Sequence, residues 1–304
     1  MILTDRSPDP SRSPRLWIRR GELIALLVAA GGPPVAAWAY RLAVGLPPTA
    51  GNFDPANPHG PHPYPAAIRA WHYANNLLAV ALAVTGVRIL AGRPRLAWTT
   101  GGPAWFRCRP FADEAAPAPS WLRFGHALLA VAWATTGLAY VGLLALAGAR
   151  DHLVPQSWRD FPEAWRVFVQ YATFHLPLDP DGFYRFNSLQ LLSYATVMFG
   201  LVPLIVVTGL ATSPAFGRPF DRLARLFGNA EAARSVHHLA ILGYVAFIAI
   251  HVTFVAMYAA WLNGHHVVMG TDETGLPGWL SGGVGGAGLV LAGLAARRVV
   301  RRAG

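Results

Sequence analysis

His237 and His251 lie fourteen residues apart within the apolar run from Val236 to Val252. At about 100° per residue, fourteen helical steps leave the two side chains within roughly 40° of one face, and about 21 Å apart along the axis. That is most of the roughly 30 Å hydrocarbon thickness of a bilayer. An imidazole in lipid is costly unless it faces the inside of a bundle and finds a partner there. Two of them on one face, at two depths, point to two stacked cofactors held across a membrane. A pair of b-type haems fits best. The single cysteine, Cys108, leaves no CxxCH for covalent attachment, so each haem is expected to be held by coordination and packing alone.

The elements that must position these residues are long and apolar. The chain has 304 residues, is 54% hydrophobic and 13% charged, and has a mean hydropathy of +0.35, which suits a polytopic membrane protein. Six segments can span: 22–46, 67–91, 121–148, 188–211, 236–262 and 276–297. The fold class expected is therefore all-α, a membrane helix bundle with a four-helix di-haem core and flanking transmembrane helices. Gly31-Gly-Pro-Pro34 is expected to interrupt the first segment, because proline removes a helix hydrogen bond. A cleaved signal peptide is the rival reading there, from Arg19-Arg20 before the stretch and Ala37-Trp-Ala39 after it. A retained helix is preferred, since the run is long for a signal sequence. The glycine-rich stretch Ser281–Gly288 in the last segment implies close helix packing or a weak terminal span.

The formal charge of +10 comes from arginine alone, since the chain has no lysine. Basic clusters fall between apolar segments, without the aromatic-interleaved basic face of a nucleic-acid binder, so nucleic acid is not an expected partner. With both termini cytoplasmic, 19 of the 25 arginines lie on the inner side, as the positive-inside rule requires. The long outer loop 149–186 carries Trp158, Phe161, Trp165, Phe168, Tyr171, Phe174, Phe183 and Tyr184. It reads equally as an interfacial segment at headgroup level and as a platform for an outer partner or a quinone.

In that topology His72 lies near the outer end of its segment and His126 near the inner end of the next. His237 is near the inner surface and His251 is in the outer half. Depth pairs His72 with His251 and His126 with His237, four axial ligands for two haem irons. His238 falls about 140° from His251 on the helix and reads as a supporting group rather than a ligand. His59, His62, His152, His175, His265 and His266 fall in expected loops and read as solvated. Arg69, Asn75, Asn76 and Arg234, beside the ligands, are candidates for tuning them, although the arginines also serve as topology markers. No internal repeat is evident.

The segments around these histidines resemble the bacterial cytochrome b561 and nickel-hydrogenase cytochrome b superfamily, most nearly its thiosulfate-reductase-type subunits. The stretch His62–Asn75 resembles a proline-rich lead into an Arg-x-x-His-Trp helix, with Tyr73 in the tryptophan place and Trp71 before the histidine. Trp121–His126 resembles the second ligand helix, and Phe186-Asn-Ser-Leu-Gln190 a Tyr-Asn-x-Leu-Gln element with phenylalanine for tyrosine. Thr208–Pro214 and Phe227–His237 resemble the end of one helix and the start of the double-ligand helix. The resemblance covers about residues 62–270 and carries the family's haem ligands onto His72, His126, His237 and His251. It implies a subunit that anchors an extracytoplasmic molybdopterin-dependent or hydrogenase-type enzyme and exchanges electrons with membrane quinone.

The chain is accordingly divided into 1–61 (tail, extra helix and outer loop), 62–270 (di-haem domain) and 271–304 (last helix and basic tail). The expected function is electron transfer between the quinone pool and an outer redox partner, in the bacterial cytoplasmic membrane and in contact with its lipid, with two non-covalent haems b. No independent substrate chemistry is expected, because no nucleophile, soluble-domain base or phosphate loop is present. The alternatives are a histidine proton-relay transporter, which would want carboxylates at membrane depth, and a haem-free anchor subunit.

Overall fold

The computed structural model describes residues 20–45, 65–91, 120–148, 153–175, 186–213, 221–268 and 276–302. Cys108, His59, His62, His152, Phe183 and Tyr184 lie outside them. The protein is an all-α polytopic bundle. Its helices are α1 (Arg20–Val44), α2 (Ala66–Ala91), α3 (Ser120–Leu146), α4 (Asp160–Ala172), α5 (Ser188–Thr212), α6 (Asp221–Leu226), α7 (Ala230–Val268) and α8 (Leu276–Arg302). Among the described residues, four helical stretches are long and apolar enough to cross a membrane: Ala66–Leu90, Ser120–Leu146, Ser188–Thr212 and Ala230–Val255.

Two antiparallel pairs form the core, α2 with α3 and the second half of α5 with α7, and α2 also touches α7. Between them lies an apolar layer built on Trp133, Ile205 and Ala240. The apolar residues left on the outside, such as Leu128, Val131, Leu138, Leu242 and Ile250, are what lipid contact requires.

The helix starts are chemically specified. Asn187 and Gln190 form a capping box at the start of α5, each side chain bonded to the other's backbone N–H at 2.9 Å. The Phe186–Gln190 element thus has a structural task. Ser188 donates to Asp160 at 3.2 Å and Asn187 to the Tyr171 hydroxyl at 3.2 Å, so the same turn clamps α4 onto α5. At α7, Asn229 caps the Ala232 N–H at 2.8 Å after Gly228 turns the chain with φ of +92°.

Two details differ from expectation. α1 runs unbroken through Pro33 and Pro34. α7 continues to Val268, so His265 and His266 are helical rather than in a loop. His175 is exposed, as expected, and just beyond α4 it meets Arg41 of α1, whose guanidinium lies 3.2 and 3.3 Å from the two ring nitrogens and 3.3 Å from Thr173 O. The positive charge stands at the negative end of α4, where the helix dipole favours it.

The glycines of α8 allow close packing. Gly285 O accepts the Tyr73 hydroxyl at 2.6 Å. A Cβ at Gly288 would collide with the Tyr73 hydroxyl, and one at Gly293 would crowd Val80 at 3.3 Å. α8 therefore rests on α2 through small residues, where van der Waals contact replaces the absent hydrophobic driving force of lipid.

Candidate functional site

The four histidines occupy the two helix pairs at two levels. His126 and His237 lie within electrostatic range of each other at one level, and His72 and His251 do so at the other.

At the His126/His237 level, both rings are seated by a Thr-Gly dipeptide on the neighbouring helix. Thr85 Oγ1 lies 2.8 Å from His126 Nδ1, and Thr208 Oγ1 lies 3.0 Å from His237 Nδ1. Each hydroxyl already donates its proton to its own helix, Thr85 to Ala81 O at 2.9 Å and Thr208 to Leu204 O at 2.6 Å. What each offers the imidazole is a lone pair, so Nδ1–H is the donor. His237 Nδ1 also lies 3.1 Å from Ile205 O, which can only accept. The proton is thereby held on Nδ1 and the lone pair on Nε2. The following glycines give the rings room: a Cβ at Gly86 would stand 3.4 Å from His126 Cε1, and one at Gly209 would stand 3.3 Å from His237 Cε1.

At the His72/His251 level the partners are aromatic. His251 Nδ1 is hydrogen-bonded to the Tyr194 hydroxyl at 2.9 Å. Its ring is stacked on Phe247 at 5.8 Å. His72 packs against Tyr140 at 5.7 Å. A third Thr-Gly dipeptide, Thr136-Gly137, receives Asn75, whose amide donates to Thr136 Oγ1 at 2.8 Å and Trp133 O at 2.9 Å. Asn75 thus fixes the His72 helix against α3.

The two helix pairs correspond in the spacing of their site residues. His126, Trp133 and Tyr140 recur every seven residues along α3, as His237, Tyr244 and His251 do along α7. Thirteen residues separate His72 from Thr85, and fourteen separate Tyr194 from Thr208. The extra residue matches the π-helical turn Val197–Leu201 inside α5, since such turns insert one residue. At the aromatic level histidine and tyrosine change places between the pairs, His72 with Tyr140 in one and Tyr194 with His251 in the other.

This donor set suits a haem better than a bare ion. Among the described residues no group of three or more His, Cys, Asp or Glu could hold a metal, whereas a structural zinc wants four protein ligands. With Nδ1 protonated, His126 and His237 would each keep an Nε2 lone pair with which to hold a haem iron.

The sequence reading does not single out Thr85 or Tyr194, and Thr208 enters it only as part of the Thr208–Pro214 resemblance. The available signal was the recurrence of Thr-Gly in three spans, at 85–86, 136–137 and 208–209.

Residues 63–267 match the model of a family described as prokaryotic cytochrome b561. The chain is similar to the putative protein-methionine-sulfoxide reductase subunit YedZ1 of Azospira oryzae, 27% identical over 66% of this chain and 96% of that one. It is also similar to the probable Ni/Fe-hydrogenase B-type cytochrome subunit of Cupriavidus necator, 27% identical over 62% of this chain and 76% of that one. No solved structure matches.

Proposed function

Because the chain belongs to the prokaryotic cytochrome b561 family, a membrane haem-b electron-transfer subunit, we propose that it holds two haems b in series across the bacterial cytoplasmic membrane and passes electrons between quinone and an outer redox enzyme. His72 and His251 hold one haem, and His126 and His237 the other. The observation that carries this reading is the arrangement of four helix histidines as two facing sets, with Thr85, Thr208 and Ile205 keeping the Nδ1 proton away from the nitrogen that would bind iron.

When bound, haem supplies a one-electron couple at each level. The chain's own residues do the rest. Thr85, Thr208 and Tyr194 orient the imidazoles and set their basicity. Gly86 and Gly209 let the rings lie against the backbone. The apolar layer around Trp133 and Ile205 keeps water and counter-charge from the space between the levels.

The partner is a redox enzyme of molybdopterin-dependent or hydrogenase type. Support comes from the two relatives, one named as a subunit of a methionine-sulfoxide reductase and one as the cytochrome subunit of a hydrogenase. The arginine bias supports cytoplasmic termini, an orientation that would turn the His72/His251 level and α4 towards the outer face. That face, with Trp158, Phe161 and Trp165 exposed, suits docking.

Quantitative haem extraction with a reduced-minus-oxidised spectrum tests the cofactor assignment. Two haems per chain with bis-nitrogen low-spin resonances are expected. A ratio near one, or a colourless preparation, overturns it. Co-purification from native membranes tests the partner: recovery of only a cytoplasmic dehydrogenase reverses the assignment of faces.

A further inference from the structure

Trp133 and Tyr244 meet between the two histidine levels. Their ring centroids are 5.5 Å apart at an interplanar angle of 82°, an edge-to-face contact. Trp133 is buried, with 6% of its surface exposed. The indole Nε1 comes near the Tyr244 hydroxyl without reaching hydrogen-bond geometry.

The register makes the position specific. Tyr244 is seven residues from His237 and seven from His251 on one continuous helix, and Trp133 is seven from His126. Seven residues are close to two turns, so each ring lies near the face of its ligand histidines and about 10 Å along the axis from them. Each is also the counterpart of the other in the correspondence between the helix pairs. The remaining described members of the surrounding cluster, including Leu78, Leu82, Leu201, Val202 and Ile205, are aliphatic or alanine. In that cluster the only conjugated π system between the two levels is this pair.

We propose that Trp133 and Tyr244 form an aromatic bridge that couples the two haem sites and mediates electron tunnelling between them. The inference rests on the di-haem reading above. Tunnelling falls off steeply with distance and is less attenuated by a conjugated ring than by saturated side chains, so a ring pair spanning the layer raises the coupling between its two sides. One electron is lost at one level and gained at the other. The rings make and break no bond, release no proton and are not themselves oxidised.

The test uses the purified holoprotein in lipid nanodiscs. A photoreductant injects less than one electron per chain, and equilibration between the haems is followed in the α band. Trp133→Leu and Tyr244→Leu are expected to slow equilibration several-fold while keeping two haems, both midpoint potentials and the resonance spectrum. Trp133→Phe and Tyr244→Phe, which keep a ring in place, are expected to stay close to the parent rate. Leucine variants with two haems, unshifted potentials and the parent rate overturn the bridge. Phenylalanine variants as slow as the leucine ones overturn it too. Loss of haem from both leucine variants shows a packing element instead and also counts against it. A parent protein without two haems removes the di-haem reading itself, an outcome distinct from each of these.

Discussion

Thr208 accepts the Nδ1–H of His237 at 3.0 Å with a lone pair left over from its own donation to Leu204 O. Thr85 does the same for His126, with Ala81 O as its acceptor. The difference between them is Ile205 O, which gives His237 a second acceptor among the described contacts. Removing one hydroxyl therefore leaves His237 partly satisfied and deprives His126 of its acceptor.

Thr85→Val and Thr208→Val preserve shape and delete the acceptor. An imidazole that donates more weakly is less electron-rich and stabilises ferric iron less, so the potential of the His126/His237 haem is expected to rise in both. Thr85→Val should shift it further, by some tens of millivolts where about 59 mV corresponds to tenfold for one electron. A redox titration reads this. Equal shifts, or a shift in the other haem, would contradict the tautomer argument.

Single alanine substitutions should sort into two spectral classes. His72→Ala and His251→Ala remove one haem, and His126→Ala and His237→Ala the other, each leaving about one haem per chain. His238→Ala should keep both. A His238→Ala variant that lost a haem while His237→Ala kept two would sink the helical-face argument.

The glycine seats predict a size effect that depends on place. Gly209→Leu must push its side chain into the His237 ring, since even a Cβ stands 3.3 Å from Cε1. A loss of haem affinity of about 10–100-fold is expected, the range typical when support for a metal ligand is disturbed. Gly142→Leu, on α3 with nothing near its Cβ, should bind haem as the parent does. Haem titration of the apoprotein compares the two.

The seam between α2 and α8 can be opened separately. Tyr73→Phe deletes the bond to Gly285 O and is expected to cost about 1 kcal/mol. Gly288→Leu forces the helices apart, with an overpacking cost of roughly 1–3 kcal/mol. Thermal unfolding in detergent should rank Gly288→Leu below Tyr73→Phe, and haem content should change little at first. A Gly288→Leu protein as stable as the parent would mean that α8 does not rest on Tyr73.

Much of the architecture was legible because lipid makes its rules conspicuous. Spans announce themselves by length, and an imidazole among Leu, Ile and Val stands out, which is why His72, His126, His237 and His251 are conspicuous in the sequence. The threonines were invisible for the opposite reason. A threonine that donates to its own helix is an ordinary resident of an apolar span, and only a neighbouring ring shows that its remaining lone pair has a use. Tyr194 was hidden by its register, since an α-helix read straight from Thr208 back to residue 194 misses the π-helical turn. His265 and His266 were assigned to a loop because hydropathy falls there, yet the α7 backbone continues beyond its apolar stretch.

That π-helical turn has one more consequence. A straight α-helix is a screw of single pitch, so anything fastened at its two ends is fastened at a set angle. Val197–Leu201 divides α5 into two screws out of phase by about 100°, the rotation of one residue. The upper screw carries the clamp on α4, through Ser188 to Asp160 and Asn187 to Tyr171, and also carries Tyr194. The lower screw carries Thr208. Deleting one residue from the turn would leave every local contact chemically available and still mesh only one half at a time. The surface helix and His251 are thus geared together, and His237 is geared to neither of them through α5.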